Sequence, residues 1–261
     1  MKINPLISKI DPSRYTVYQT LDYVKRAAGL ELTQKKTANL FLFKAQPFVD
    51  SLYNYAHVLG GKLTLKDLKT IKEFFGTDKF RIKIPENQDI ADLLLTNSFK
   101  LKSTGYVMVA KKIKTRDYNY SLPENVKILP ADSRKTLKQV KNIFAAAFNC
   151  SLADCEKKLG FLDEKILDRE DRHLKSFILY ENDQPVATGA YYAFDKFSIE
   201  SIGTLESARG RGYAGLIMKH LLREAQRLGY NSACLSASEA GRSVYEKVGF
   251  ESLLKTAAYI L

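Results

Sequence analysis

Residues 204–228 constrain the fold more than any other stretch. They read Thr-Leu-Glu-Ser-Ala-Arg-Gly-Arg-Gly-Tyr-Ala-Gly-Leu-Ile-Met-Lys-His-Leu-Leu-Arg-Glu-Ala-Gln-Arg-Leu. The pattern predicts the end of a strand over 197–205, a basic glycine loop, and a helix from about Tyr213 to Leu228. Ala214, Ile217, Met218, Leu221, Leu222, Ala225 and Leu228 recur at intervals of three and four, which is one apolar face of a helix. Lys219, His220, Arg223 and Arg227 fall on the opposite side, where His220 is expected to be solvated. Gly229 is placed to end the helix.

The loop matters because it leads directly into a helix N-terminus. The first N–H groups of a helix lack intrahelical acceptors, and the helix dipole places partial positive charge there. Gly210 and Gly212 carry no Cβ, so an anion can approach the backbone closely. Arg209 and Arg211 add charge. These features together describe a phosphate site. A P-loop would need Gly-Lys-Ser/Thr, which is absent. A dinucleotide fingerprint would need a third glycine at a spacing that Gly215 does not meet.

The spacing Arg209-x-x-Gly212-x-Ala214 resembles the Gln/Arg-x-x-Gly-x-Gly/Ala signature of the GNAT acetyltransferase superfamily, whose loop holds the pyrophosphate of acetyl-CoA. A second stretch strengthens the resemblance. Residues 231–235 read as a short buried strand, and 236–250 run Ser-Ala-Ser-Glu-Ala-Gly-Arg-Ser-Val-Tyr-Glu-Lys-Val-Gly-Phe. This is similar to the family's short helix that carries a tyrosine and ends in Gly-Phe, matched here by Tyr245, Gly249 and Phe250. Ser238 and Gly241 stand where Asn and Ala are usual. The resemblance covers roughly residues 126–261.

It implies a mixed α/β fold in which acetyl-CoA lies in a splay between the strand before the loop and the strand after it. Thr204, Leu205 and Glu206 would align its pantetheine arm. Arg209, Gly210, Arg211, Gly212, Tyr213 and Ala214 would hold the pyrophosphate, and Ser238 would lie near the cofactor. Acetyl transfer needs a proton taken from the amine and a proton offered to the departing thiolate. Tyr245 is the candidate acid. A phenol of pKa ~10 can help a thiolate of pKa ~8.5 only with positional help. Glu200, a carboxylate in mid-strand, is the candidate base. By simple alternation it shares a face with Ser198, Ile202 and Thr204. The expected activity is N-acetyltransfer from acetyl-CoA to a primary amine of a small or amino-acid-like acceptor. A non-catalytic module that binds CoA or a partner is the alternative.

Composition excludes several classes. The three cysteines, Cys150, Cys155 and Cys234, are odd in number and contain no Cys-x-x-Cys, which argues against a disulfide framework and against zinc. The three histidines are scattered, so no metal site is expected. The formal net charge is +12, but the lysines are spread along the chain without a dense block. Nucleic acid is therefore not expected as a partner, and polyanionic CoA would use some of that charge. No apolar run approaches a membrane span, and the first residues lack a signal-peptide core, so the cytoplasm is the expected compartment. Composition says nothing of oligomeric state.

The polar segment 111–125 marks the expected boundary between a first domain, 1–120, and a second, 121–261. Helices are expected over 15–28, from Thr64 to Phe75, over 89–97, from Asp132 or Ser133 to Phe148, and over about 151–169. Strands are expected over 40–46, 53–59, 80–84, 101–111, 126–129, 177–180 and 186–194. Placing Phe99 over Phe250 lays Phe80–Val109 over Ser232–Ile260. Leu94 then falls on Tyr245, Ser98 on Gly249, and Gly76 answers Gly229. The first half thus reads as a second GNAT-like unit without the arginine–glycine loop, a two-unit layout similar to the glycine N-acyltransferase-like branch. Its strands 40–110 are expected to follow the order of 186–261.

Overall fold

The computed structural model describes residues 31–45, 54–59, 61–160, 163–168 and 173–261. The helix expected over 15–28 lies outside them. Contacts divide the chain into two compact units. The first holds the described residues up to Met108 together with Ser236–Ala240 and Ser252–Leu261; the second holds Val109–Leu235 and Gly241–Glu251. This division is not the linear one expected at residue 120, because the end of the chain returns to the first unit.

In the first unit the strands are β1 (Leu32–Lys36), β2 (Leu40–Ala45), β3 (Tyr55–Val58), β4 (Arg81–Pro85) and β5 (Lys100–Lys111), joined by the last strand, β11 (Glu251–Ile260). Their order is β1-β2-β3-β4-β11-β5. Helix α1 (Leu65–Phe75) begins at Thr64, whose side chain accepts from the Asp67 N–H while Asp67 accepts from the Thr64 N–H. That reciprocal box satisfies two donors the helix cannot. Helix α2 (Gln88–Thr96) is capped by Asn87. Leu68, Ile71 and Phe75 from α1 and Ile90 and Leu94 from α2 pack on Leu40, Leu42, Ile82, Ile84 and Tyr259. His57 is buried and stacked on Phe43 and Tyr55. Burial, reinforced by the Lys83 charge, holds its pKa well below the usual histidine value.

The second unit contains β6 (Val126–Pro130), α3 (Arg134–Phe148), α4 (Leu152–Leu159), α5 (Asp163–Leu167), β7 (Leu174–Glu181), β8 (Gln184–Ala193), β9 (Phe197–Thr204), α6 (Tyr213–Arg227) and β10 (Ser232–Ala237). The single helical stretch expected over 151–169 is two helices. Helix α7 (Glu239–Lys247) comes after β10. The strand order is β10-β9-β8-β7-β6. β6, β7, β8 and β9 pair antiparallel, and β9 pairs parallel with β10 across α6. Asn182 and Asp183 turn the β7–β8 hairpin with φ of 49° and 61°, the backbone that a two-residue hairpin of matching twist requires. Helix α6 is anchored by Ile217, Met218, Leu221, Leu222 and Ala225, all fully buried. Each of the larger ones contributes roughly 1.5–3 kcal/mol of transfer free energy.

The internal repeat has a geometric counterpart. β2–β3–β4 and β8–β9–β10 both pair antiparallel and then parallel. Ser98 and Gly249, matched in the repeat, both have positive φ, 70° and 94°. The next N–H makes the same bond in both copies, Phe99 to the Leu94 carbonyl and Phe250 to the Tyr245 carbonyl, each 3.0 Å. The strand order of 40–110 follows that of 186–261 as expected: β4 and β5 are not neighbours, because β11 stands between them, and their counterparts β10 and β11 are not neighbours either.

Candidate functional site

Helices α1 to α4 each begin at a residue whose side chain accepts from the first turn: Thr64, Asn87, Ser133 and Ser151. Helix α6 begins at Gly212, with no side-chain cap and no acidic residue in its first turn. Gly212 has φ +81° and Gly210 φ +80°, and no atom lies within 4 Å of where a Cβ would stand at either. The backbone there is left-handed, which glycine adopts without steric cost, and it faces open space.

The two loop arginines have different roles. Arg209 donates to the carbonyls of Thr204 (3.4 Å) and Ala147 (3.3 Å), so it ties the loop to the end of β9 and to the last turn of α3. Arg211 donates to both oxygens of Glu181, at 2.9 and 2.7 Å, and to the Ser207 carbonyl. Its charge is therefore offset, and the loop is less positive than the sequence suggests. Tyr213 is buried and donates to Glu181 at 2.5 Å. That hydrogen bond, with the Arg211 charge, holds the Glu181 carboxyl below its usual range, and the same bond raises the Tyr213 phenol. Glu181 was invisible to the motif because it lies 30 residues upstream, at the end of a hairpin strand.

Thr204 Oγ1 is shut off from solvent and has no hydrogen-bond partner among the described residues. Leu205 donates its N–H to Val186, and Glu206 is exposed in the short 3-10 turn Glu206–Ala208 that leads to Arg209. Ala214 is half-buried in the first turn of α6. Ser238 is exposed ahead of α7 and belongs by its contacts to the first unit, whereas the loop belongs to the second.

β9 is irregular where the candidate base sits. Its register with β8 shifts between Ala190↔Glu200 and Thr188↔Gly203, and Ser201 has φ +57°. One extra residue makes a bulge, which reverses the alternation beyond Glu200. Glu200 shares a face with Ser198, whose hydroxyl donates to it at 2.9 Å. The expected alignment with Ile202 and Thr204 is lost, because Ile202 packs toward Ile217 around Gly189. A Cβ at Gly189 would stand 2.5–2.6 Å from those two side chains. The parallel register of β9 with β10 covers only Phe197 and Ser198. Toward its end, from Ser201 to Thr204, β9 is therefore not covered by β10.

Tyr245 is half-buried on α7, with its ring against Gly241 and Phe250. Burial, and then the negative charge of Glu200, push its phenol up to about 12. The two candidate catalytic groups thus lie within electrostatic reach of each other. Ser201 and Ala190, beside Glu200, also line a cavity of about 20 Å³ with Leu137, Val140 and Tyr192. Lys141, largely buried on its wall, donates to Asp163 at 2.5 Å and to Glu156 at 2.8 and 3.1 Å. Burial opposes its charge, and the two carboxylates outweigh that and raise its pKa.

His220 is not solvated. Phe177 packs edge-on against its ring, Nδ1 lies 2.8 Å from the Tyr120 hydroxyl, and burial lowers its pKa. No group of three or more His, Cys, Asp or Glu side chains among the described residues could hold a metal ion. Among them, no helix is long and apolar enough to cross a membrane.

An uncapped helix behind a glycine loop, a bulged strand that parts from its neighbour and a tyrosine-bearing helix after them are the parts of one known architecture. The sequence of residues 137–250 matches the model of the Acetyltransferase (GNAT) family. These residues belong to the GNAT family. Solved structures extend the likeness in fold. A GCN5-related N-acetyltransferase from Kribbella flavida aligns over 95% of each chain with a TM-score of 0.70 and 17% identity. One from Sphaerobacter thermophilus covers 97% of this chain and 93% of its own, with a TM-score of 0.65 and 14% identity. A tandem GNAT protein from the clavulanic acid biosynthesis pathway covers 85% of this chain and 78% of its own, with a TM-score of 0.57 and 10% identity. The GNAT fold therefore extends beyond the matched domain into the first unit. No curated protein matches the sequence.

Proposed function

We propose that the GNAT domain is an N-acetyltransferase that moves the acetyl group of acetyl-CoA to a primary amine of a small or amino-acid-like acceptor. The observation that carries this is the N-terminus of α6: uncapped, glycine-lined and open, with Arg209 beside it. Free N–H groups at a helix start favour a diphosphate. Bound acetyl-CoA would supply an activated acetyl thioester. The stretch of β9 from Ser201 to Thr204, beyond its pairing with β10, suits an extended amide chain.

Tyr245 keeps its proton at any physiological pH, because burial and Glu200 have raised it to about 12. It serves as a hydrogen-bond donor to developing negative charge on sulfur rather than as a strong acid. Glu200, oriented by Ser198, accepts the proton of the acceptor ammonium, directly or through water.

The test is thermal shift with acetyl-CoA, CoA and longer acyl-CoAs, followed by release of free CoA thiol across a panel of amines. Stabilisation by acetyl-CoA with amine-dependent release is the expected result. Stabilisation without release for any amine would favour the non-catalytic binding module. No stabilisation by any acyl-CoA would remove the reading.

A further inference from the structure

Cys150 and Cys155 present their sulfurs to each other at 2.9 Å, and the local fold explains why. Helix α3 ends at Asn149 in the left-handed region, and the Cys150 N–H bonds back to the Ala145 carbonyl. Ser151 then caps α4, accepting from the Asp154 N–H at 3.1 Å. Relative to that cap, Cys150 is the residue before it and Cys155 the fourth helical residue. Those are the two positions whose side chains meet in a hydrophobic staple, which fixes how the chain enters a helix. Here the staple is made of two thiols. Cys155 is buried and Cys150 is partly accessible.

We propose that Cys150 and Cys155 form a reversible intramolecular disulfide on exposure to a peroxide. The accessible Cys150 thiolate attacks the peroxide, forming an S–O bond and releasing water or alcohol, which leaves a sulfenic acid. The Cys155 sulfur then attacks the Cys150 sulfur, the S–O bond breaks, and water leaves. Two thiols are oxidised by two electrons, and one peroxide is reduced. The oxidation converts a packing contact at the α3–α4 corner into a covalent one. That corner carries Glu156, which holds Lys141, and lies just after Ala147, which accepts from Arg209.

The test uses the full-length protein treated with hydrogen peroxide, followed by non-reducing peptide mapping. The expected product is a Cys150–Cys155 peptide pair lighter by two hydrogens, restored by dithiothreitol, with Cys234 unchanged. The oxidised protein should melt at a higher temperature than the reduced one. In Cys155→Ser, Cys150 should stop at a sulfenic acid that a dimedone probe traps. Overoxidation of Cys150 to the sulfinic acid in the unaltered protein without linkage, a disulfide between two molecules, or a peptide pair containing Cys234 would each overturn the proposal. None of these readouts depends on acetyl transfer.

Discussion

Gly212 combines two roles that a single substitution separates. Its φ of +81° makes any L-residue strained there, and it stands at the cap position of α6. Aspartate tolerates the left-handed region better than most residues but would place a negative charge on the open N-terminus. Free acetyl-CoA at ~100 times its dissociation constant should stabilise the parent by about 2.7 kcal/mol. Gly212→Asp should abolish that shift while the unliganded protein loses about 1 kcal/mol. A full shift in the variant would place the ligand elsewhere. Tyr245 and Glu200 form a second residue-scale test. Tyr245→Phe should lower kcat much more than it raises the Kd for acetyl-CoA, because its proton matters only as charge develops. Glu200→Gln removes the smaller of the two causes that raise the phenol. Titration of Tyr245 by NMR should then show its pKa fall from about 12 yet stay above the usual tyrosine value, because burial remains. No change would mean that the two groups do not sense each other.

At the scale of elements, the sequence was most legible where one local rule decides. The apolar stripe of α6 and the start of α1 at Thr64 were read from spacing alone, and the cap of α3 was narrowed to Asp132 or Ser133, of which Ser133 fills the position. The features that escaped arise from tertiary pairing. The bulge at Ser201 is set by the register of β8 against β9, so strict alternation assigned Glu200 the wrong companions. Arg211 looked like a ligand for phosphate because its partner, Glu181, comes from a distant hairpin. His220 fell on the polar side of the helical wheel, yet β7 and Tyr120 cover it. The Glu181 pairing has a pH signature. Its folded pKa is depressed, so its contribution to stability is present above the ordinary carboxylate range and is lost as pH falls through the lower folded value. Thermal denaturation of Glu181→Gln should show a deficit near pH ~7 that closes on acidification toward pH ~3. A deficit independent of pH would mean that shape, not charge, matters at that position.

Across the whole molecule, the last strand sets how the chain can be divided. β11 pairs antiparallel with β4 through Thr256↔Pro85, Ala257↔Ile84, Ala258↔Lys83 and Tyr259↔Ile82. Ala257 and Tyr259 enter the same core as Ile82, Ile84, Phe75 and Leu94. The first unit therefore includes residues synthesised long after the strand that they complete. Removing β11 leaves one edge of β4 without its hydrogen-bond partner and exposes the buried face of Tyr259's neighbours in that core. Unpaired edges of this kind template aggregation, and burying a large aromatic side chain is worth roughly 1.5–3 kcal/mol. Deletion of residues 252–261 should thus destabilise the first unit, with loss of amide protection at Arg81–Pro85 in hydrogen exchange. The long sequence separation also has a kinetic consequence, because distant pairings form late. Pulse-labelled refolding should show α6 and the β7–β8 hairpin protected before β4. A fragment of residues 1–120 should likewise lack protection at β4. Full protection of Arg81–Pro85 in that fragment would show that another strand, such as β5, can take the place of β11, and the chain would then be divisible near residue 120.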